Sequence, residues 1–374
     1  MRLAEYVYMF LQNEEVRKRV VHVHLLEATA GRTGTISSPL PQVLEQALRR
    51  RGVGVLYSHQ AQALEAARRG ENVVVVSGTA SGKTLCYNLP VLESILTNPY
   101  TAAFYLFPTK ALARDQQEKL NELGLFPQVR FGVYDGDTPQ PERASIRRGS
   151  HIILTNPDML HVGILPNHSA WASFLRKLRY VVVDEMHAYR GVFGSHVALI
   201  LRRLRRLAEF YGARPQFILT SATVGNPLET AQTLTGLPCT LIQEDGAPRP
   251  QRYFVLWNPP IIGQNFERLS TNVESAAIMT ALAEAGWSTL VFAKARITTE
   301  LILRYACELA DRRNPELKER LMSYRAGYTP EQRRDIERRL FSGELLGVVS
   351  TNALELGVDI GGLDVVVMAG YPGS

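Results

Sequence analysis

Residues 77–84 read Ser77-Gly78-Thr79-Ala80-Ser81-Gly82-Lys83-Thr84 and follow four valines, Val73–Val76. The next segment, residues 85–96, has the pattern of a helix. A strand, a small-residue turn ending in Gly-Lys-Thr and a helix are typical of a phosphate-binding loop, although the full pattern has Gly where Ser77 stands. Such a loop surrounds an anion with backbone N–H groups, and the helix N-terminus adds partial positive charge.

The loop predicts a site for ATP and Mg²⁺. Lys83 is expected to reach the β- and γ-phosphates, and Thr84 to ligate the metal. The cofactor-binding residues predicted here are Gly78, Thr79, Ala80, Ser81, Gly82, Lys83 and Thr84. The alternative is a chance Gly-Lys-Thr at the start of an ordinary helix.

A second apolar strand, Val181–Val183, is followed by Asp184-Glu185-Met186-His187. Beside a phosphate loop, Asp184 would hold Mg²⁺ and Glu185 would orient or deprotonate the attacking water. Taken alone, Asp-Glu after a strand is a common way to start a loop. Farther along, Ser221-Ala222-Thr223 places hydroxyls at another strand end, where they either contact the acidic pair or cap the strand.

The length, composition and net charge of the chain restrict the class of protein. With 374 residues the chain is long enough for about two domains of roughly 150 residues. No apolar run approaches the ~18 residues of a membrane span, so no membrane partner is expected. The three cysteines lie far apart, which favours a reducing, cytoplasmic setting. The net charge of +6 suits a polyanionic partner without requiring one.

Strand-like and helical segments alternate from Val73 onward, which predicts an α/β fold with parallel sheets covered on both faces. A second alternation starts after the linker-like residues 246–250 and includes a strand at Tyr253–Trp257. We therefore divide the chain into an N-terminal extension (residues 1–50), an ATP-binding domain (51–246) and a second domain (247–374). Ligands of such sheets bind where strands end.

The order of phosphate loop, Asp-Glu-x-His and Ser-Ala-Thr resembles superfamily 2 helicases of the DExH type. Other segments match motifs of that family in the same order: Tyr57-Ser58-His59-Gln60, Pro108-Thr109-Lys110-Ala111-Leu112-Ala113, Thr155-Asn156-Pro157-Asp158-Met159-Leu160, and Ser350-Thr351 through Gly357-Val358-Asp359. The resemblance implies two RecA-like parallel-sheet domains in tandem, the second incomplete, and an ATP-dependent motor that moves along nucleic acid.

The same resemblance suggests roles for single residues. Gln60 would read adenine, because its amide both donates and accepts hydrogen bonds; a glutamine on a surface helix is the alternative. Gly357 and Asp359 would complete the nucleotide site from the second domain. His187, counted with Lys83, Asp184 and Glu185 as catalytic, would couple the acidic motif to Ser221 or to the second domain, or serve only as a structural histidine.

Three residues are predicted to contact nucleic acid: Lys110, Thr155 and Thr351. Each follows a predicted strand end, where side chains face the ligand side of the sheet. A solvated lysine is the alternative for Lys110. The segment Tyr189–His196, with its aromatic residues, would either stack on bases or, as we prefer, anchor a helix in the core through Phe193.

The residues around the loop, together with Tyr189–His196, most resemble helicases of the mitomycin repair factor A type, which carry a cysteine-rich C-terminal domain. That resemblance implies a 3′-to-5′ DNA helicase acting in repair, with DNA preferred over RNA. The family's Gln-x-x-Gly-Arg-x-Gly-Arg segment does not occur before Ser374. We therefore expect an N-terminal fragment that binds ATP but hydrolyses it slowly. An RNA helicase or remodelling ATPase, and a non-hydrolysing binding module, are the alternatives.

Overall fold

The computed structural model describes residues 3–78, 80–262, 267–325, 327–351, 354 and 363–371. The chain divides into two compact units, one of residues 28–250 and one that joins residues 1–27 to residues 251–374. The residues predicted as an N-terminal extension, 1–50, contribute to both units. Residues 1–27 belong with the C-terminal residues because their strand pairs there.

The N-terminal segment consists of α1 (Leu3–Gln12), α2 (Glu14–Arg17) and β1 (Val20–Leu26). Helix α2 begins after Asn13, whose Oδ1 accepts hydrogen bonds from the backbone N–H groups of Glu15 and Val16.

The unit of residues 28–250 contains a seven-stranded parallel sheet in the order β4-β5-β3-β6-β7-β2-β8. Its strands are β2 (Val73–Val76), β3 (Ala102–Leu106), β4 (Phe131–Val133), β5 (Ile152–Thr155), β6 (Leu178–Val183), β7 (Gln216–Ser221) and β8 (Thr240–Ile242). Its helices are α3 (Gln42–Arg50), α4 (Ser58–Arg68), α5 (Lys83–Thr97), α6 (Lys110–Glu122), α7 (Gln140–Gly149), α8 (Pro157–Met159), α9 (Ala172–Arg176), α10 (Gly191–Phe210) and α11 (Pro227–Thr235).

Helices cover both faces of this sheet, as the apolar strands predicted. In β2, Val73 and Val75 belong to one hydrophobic cluster, while Val74 and Val76 belong to another on the opposite face. All four valines are buried. A strand whose alternate side chains enter two separate cores has no solvent face, so the usual polar alternation is missing from its sequence.

The other unit contains a four-stranded parallel sheet in the order β13-β14-β12-β15. The strands of that sheet are β12 (Thr289–Phe292), β13 (Leu321–Tyr324), β14 (Gly347–Ser350) and β15 (Val365–Met368). The unit also contains the strands β9 (Arg252–Trp257), β10 (Ile261–Ile262) and β11 (Glu267–Arg268), and the helices α12 (Thr271–Glu284), α13 (Arg296–Arg313) and α14 (Pro330–Phe341). The two sheets confirm the α/β prediction of tandem RecA-like domains, the second smaller.

One strand is not where the sequence placed it. Tyr253–Trp257 was predicted as part of the second parallel sheet, but β9 pairs antiparallel with β1, with Val23 opposite Val255. Strand β9 thus forms a two-stranded ribbon with β1. The pattern of side chains identifies a strand but does not specify its partner.

The sheet topology of residues 28–250 positions the site. Strands β6, β7 and β2 are neighbours, so the segments after Val183, Ser221 and Val76 leave the same edge of the sheet within roughly 10 Å. None of the helices in the described part of the chain has the length and apolar character needed to span a bilayer.

Candidate nucleotide-binding site

Hydrogen bonds of two serines stabilise the loop between β2 and α5. The hydroxyls of Ser77 and Ser81 lie 2.6 Å apart, and Ser81 Oγ donates to the carbonyl oxygen of Gly78 at 2.8 Å. Two residues adopt positive φ, Ala80 at 56° and Gly82 at 78°, and α5 begins directly after the second. Left-handed residues before a helix N-terminus turn N–H groups inward, as an anion site requires. Thr79 lies outside the described residues.

Lys83 opens α5 and folds back over the loop. Its Nζ donates to the carbonyl oxygen of Ser77 at 3.2 Å, which leaves two ammonium protons for an anion. Thr84 follows in the first turn of α5. The loop therefore carries a cation and a hydroxyl at the positions that the sequence assigned to phosphate and metal.

Gln60 is buried against this loop, with 2% of its surface exposed. Its Oε1 accepts from the backbone N–H of Tyr57 at 2.9 Å, and its Nε2 donates to the carbonyl oxygen of Gly82 at 3.1 Å. A Cβ added to Gly82 would lie 2.5 Å from that Nε2. Gln60 thus braces the loop, with one amide proton and one lone pair left for an adenine edge.

The acidic pair follows β6 at the same edge of the sheet. The Asp184 carboxylate is buried, and its Oδ1 accepts hydrogen bonds from the Thr220 hydroxyl and, at 2.8 Å, from the Glu185 N–H. Its Oδ2 accepts from the Tyr87 hydroxyl at 3.1 Å. Tyr87 lies on α5, as Thr84 does, and its hydroxyl is also 3.1 Å from Gln116 Oε1, so it links this helix to the acidic pair.

Glu185 has an unusual backbone and an unpartnered side chain. Its φ of 49° is left-handed, which is uncommon for a residue with a Cβ. Its Oε2 is buried and makes no hydrogen bond to any described residue, although His187 Nδ1 lies 3.2 Å away. Burial, and then the charge of Asp184, raises the pKa of Glu185 to about 7, while Lys83 acts in the opposite direction. A buried carboxylate oxygen without a donor is suited to a bound group that supplies one.

His187 connects the acidic motif to β7. Its Nδ1 lies 3.4 Å from the Ala222 N–H, which donates to it, and 3.5 Å from Ser221 Oγ. Burial, and then the charges of Lys83 and Arg190, lowers the pKa of the His187 ring. The ring is therefore neutral at pH 7, with its proton on Nε2, because Nδ1 accepts a backbone hydrogen bond.

Asp245 also contacts the phosphate loop, and no sequence motif indicated it. Its Oδ2 accepts hydrogen bonds from the Gly78 N–H at 3.1 Å and from Arg249 at 2.8 Å, and its Oδ1 accepts from the Ala247 N–H. Burial raises the pKa of this carboxyl, but the hydrogen bonds outweigh burial and hold the pKa below its usual value. The only signal in the sequence is an acid four residues before an arginine within a Gly-Pro segment.

The predicted nucleic-acid contacts differ in accessibility. Lys110 starts α6, is partly exposed, and forms an ion pair with Asp137 at 2.6 Å; Arg114 binds the same carboxylate at 3.1 Å. Thr155 is buried, and its Oγ1 donates to the Tyr134 carbonyl oxygen at 2.6 Å. The Thr155 hydroxyl is thus engaged inside the protein, and a nucleic-acid contact through this residue stays a prediction.

The remaining predictions concern the C-terminal unit and α10. Thr351 follows β14 and is buried, with 8% exposed, while Gly357 and Asp359 lie outside the described residues. The preferred role of Phe193 as a core anchor is wrong: this side chain is 41% exposed, and Tyr189, whose ring centroid lies 5.6 Å away, is the buried partner.

The described residues fit ATP and Mg²⁺. The loop offers inward N–H groups and an ammonium for phosphates, and Thr84 with Asp184 offers the hard oxygen ligands that Mg²⁺ prefers. The unpartnered Oε2 of Glu185 lies beside them. A sequence motif indicates each of these groups except Tyr87, whose hydroxyl contacts Asp184.

Comparisons with known proteins identify the relatives of this chain. Residues 57–231 match the DEAD/DEAH box helicase family, and residues 273–374 match the helicase conserved C-terminal domain. The uncharacterized ATP-dependent helicase YprA of Bacillus subtilis is 47% identical over 360 residues, which are 96% of this chain and 48% of YprA. The ATP-dependent helicase HRQ1 of Saccharomyces cerevisiae is 46% identical over 84% of this chain and 30% of its own length.

A solved structure is also similar throughout. The DUF1998 helicase MrfA bound to DNA and AMPPNP superposes with a TM-score of 0.93 at 46% identity, covering 100% of this chain and 52% of MrfA. The chain thus spans about half or less of the length of these relatives.

Proposed function

This chain belongs to the DEAD/DEAH box helicase family, in the group that includes MrfA, and on that premise we propose that it is the ATP-hydrolysing motor of a DNA helicase. One observation carries the proposal. Tyr87, one turn after Lys83 on α5, donates a hydrogen bond to Asp184, so the phosphate loop and the acidic pair lie at one site. A nucleotide hydrolase requires that juxtaposition.

Each group at the site has a chemical role in this proposal. Lys83 binds the β- and γ-phosphates, and Thr84 with Asp184 holds Mg²⁺, which supplies charge neutralisation for the phosphates. Glu185 orients the attacking water and accepts its proton. The pKa of about 7 makes its carboxylate basic enough for that transfer near neutral pH.

Tyr87 and Thr220 act as positioning residues in the same proposal. Their hydroxyls hold both oxygens of Asp184, and so fix the plane of that carboxylate relative to α5. His187, neutral and bonded to the end of β7, ties the acidic motif to Ser221. A change at the phosphates can therefore reach β7 through hydrogen bonds alone.

We assign DNA as the nucleic acid, with movement from 3′ to 5′ and a role in DNA repair as the family resemblance implies. The support is that MrfA, at 46% identity, is bound to DNA. Lys110 is the described residue best placed to contact a phosphodiester, because it is partly exposed at a strand end.

The first test is nucleotide binding by Lys83→Ala. Loss of a charged hydrogen-bond partner, about 1.5–3 kcal/mol, should weaken ATP affinity roughly 10- to 100-fold, as measured with a fluorescent ATP analogue. Lys318→Ala is the matched control, since Lys318 is an exposed lysine paired with Asp311. Wild-type affinity in the Lys83 variant would refute the site.

Catalysis and substrate are tested separately. Glu185→Gln should keep ATP affinity and lose hydrolysis in single-turnover assays, whereas Glu118→Gln on the exposed side of α6 should retain both.

Single-stranded DNA should stimulate hydrolysis more than RNA of the same sequence. Stimulation by RNA alone would assign an RNA-dependent motor, and ATP binding with no turnover in wild-type protein would indicate a binding module.

A further inference from the structure

A small cavity lies at the edge of the seven-stranded sheet opposite the phosphate loop. Its volume is about 50 Å³. Four residues that precede neighbouring strands line it: Thr101 before β3, Arg130 before β4, His151 before β5 and Lys177 before β6. Because these strands are parallel, their starts share one edge, and the ATP site lies at their other ends. We call this space the basal cavity.

The basal cavity is strongly cationic. Arg130, Arg147, Arg148 and Lys177 line it, and of the described residues that do so none is acidic. None of the four forms an ion pair with a described carboxylate. Elsewhere in this unit arginines are often paired, as Arg68 is with Glu65 and Glu93. The positive charge of the cavity is therefore not neutralised by the described residues.

Hydrogen-bond donors also exceed acceptors there. His151, which is 6% exposed, has Nδ1 3.2 Å from the backbone N–H of Arg130 and Nε2 3.1 Å from Arg130 Nη2. A neutral imidazole accepts at one nitrogen and carries a proton on the other, and arginine never accepts. One of these two contacts therefore sets a donor against a donor, which is a local deficit of one acceptor, while Arg130 Nε donates to the Gly149 carbonyl oxygen at 2.6 Å.

The neighbouring cations add to this deficit. Arg147 Nε is buried and has no hydrogen-bond partner among the described residues. The Lys177 ammonium lies 5.2 Å from the centroid of the Tyr100 ring, where it gains a cation–π contact but no acceptor. Burial, and then the charges of Arg130 and Lys177, lowers the pKa of His151 to about 4. The smaller part of that lowering, which comes from the two cations, is the part that an anion at this place would relieve.

We propose that the basal cavity binds one phosphate group, either free phosphate or a phosphodiester of nucleic acid. Four cations, of which Arg130, Arg148 and Lys177 are exposed, line a space beside His151 that accommodates a single tetrahedral anion. Charge-assisted hydrogen bonds from guanidinium groups to phosphate oxygens are among the strongest in proteins. The site is distinct from the ATP site, since the two occupy opposite edges of one sheet.

The first experiment titrates the histidine ring. In the full chain with labelled histidine, inorganic phosphate should raise the pKa of His151 by about one unit or more, because a bound anion favours the imidazolium. His151→Gln assigns the resonance among the eight histidines. Arg147→Gln should abolish the rise, whereas Arg206→Gln, an exposed change on α10, should not.

The second experiment separates the two sources of phosphate. If the ligand is a phosphodiester, Arg147→Gln with Lys177→Gln should reduce the slope of log affinity against log salt for single-stranded DNA by about 0.7 per lost contact. If it is free phosphate, DNA binding should be unchanged while the phosphate-dependent shift of His151 is lost. ATP-analogue affinity should be retained in either case, which shows that the variants are folded.

One result would overturn the proposal. In that result, the pKa of His151 in wild-type protein does not respond to phosphate, and the salt slope for DNA binding is unchanged in the double variant. A response that survives Arg147→Gln would assign it to another site and count against the basal cavity as well.

Discussion

At the scale of single residues, Glu185 is a buried carboxyl group whose ionised form the fold disfavours. Its left-handed backbone turns the side chain next to Asp184, and burial removes water from Oε2. The sequence could identify the residue, since Asp-Glu follows an apolar strand. It could not indicate the raised pKa, which depends on burial and on the distances among three charged side chains.

The raised pKa of Glu185 predicts a pH dependence of stability. The folded protein holds this proton up to about pH 7, while the unfolded chain releases it near 4.5. The resulting stabilisation is complete below the unfolded value and is lost as pH rises through 7. Relative to wild type, Glu185→Gln should therefore gain on the order of 2 kcal/mol of unfolding free energy between pH 5 and pH 8.

Urea unfolding of the nucleotide-free protein at both pH values, followed by circular dichroism, measures that difference. Glu118→Gln, an exposed change on α6, serves as the control and should show no such gain. Equal pH profiles for Glu185→Gln and wild type would show that Glu185 does not carry the shifted titration.

Other residues of the site mark the limit of motif reasoning. Lys83, Thr84 and Asp184 could be found because a short pattern determines their chemistry. Asp245 and Tyr87 belong to no pattern and reach the loop or the acidic pair only through the fold. Thr155 shows the reverse case, because a residue within a recognised motif has its hydroxyl bonded to Tyr134.

At the scale of elements, α6 carries two cations that share one carboxylate. Lys110 and Arg114 lie one turn apart, and both bind Asp137 in the segment between β4 and α7. The hydrogen bond from Lys110 lowers the pKa of Asp137, and the charges of Lys110 and Arg114 lower it further, against the opposing effect of burial. Asp137 is therefore ionised at neutral pH. A nucleic-acid phosphate that approaches Lys110 therefore competes with an internal anion.

Removal of that anion should strengthen nucleic-acid binding. Asp137→Asn is expected to raise affinity for single-stranded DNA about two- to fivefold at low salt, since exposed ion pairs are worth roughly 0.2–1 kcal/mol. Fluorescence anisotropy with a labelled oligonucleotide measures the change. Asp311→Asn removes a similarly exposed carboxylate, paired with Lys318, and should have a smaller effect. A lower affinity in Asp137→Asn would remove Lys110 and Arg114 from the contact.

Element types could be predicted better than element partners. Strands buried on both faces, such as β2 and β3, have uninterrupted apolar sequences that leave little choice of structure. Strand β9 was recognised as a strand but assigned to the wrong sheet. Its partner β1 lies more than 200 residues earlier, and no local pattern specifies a pairing over that separation.

At the scale of the whole molecule, an ion pair holds the first residues of the chain to the C-terminal unit. Arg19 binds Glu274 through Nη1, at 3.1 Å to Oε2, and Glu274 is buried, with 2% exposed. Aromatic contacts accompany the pair: Tyr6 packs on Trp287 and Phe10 on Trp257. Residues 1–27 thus supply both charge and apolar surface to their unit.

Loss of the arginine should destabilise that unit. Arg19→Met leaves the buried Glu274 carboxylate unpaired, so we expect a loss of about 3 kcal/mol in unfolding free energy. The double variant Arg19→Met with Glu274→Leu should recover most of it, because an apolar pair avoids the desolvation of charge. Urea unfolding followed by tryptophan emission measures both. Lys18→Met, next to Arg19 but paired only with exposed acids, should be neutral.

The pairing of β1 with β9 also sets an order on the ribosome. Residues 28–250 form a contiguous unit, so a nascent chain carries all of that unit's contacts once Pro250 has left the exit tunnel. Residues 1–27 are made before that unit, yet their partners between Gln251 and Ser374 are made after it. The unit of residues 28–250 can therefore be complete while residues 1–27 are still unpaired, with the apolar strand β1 available to chaperones until translation reaches β9.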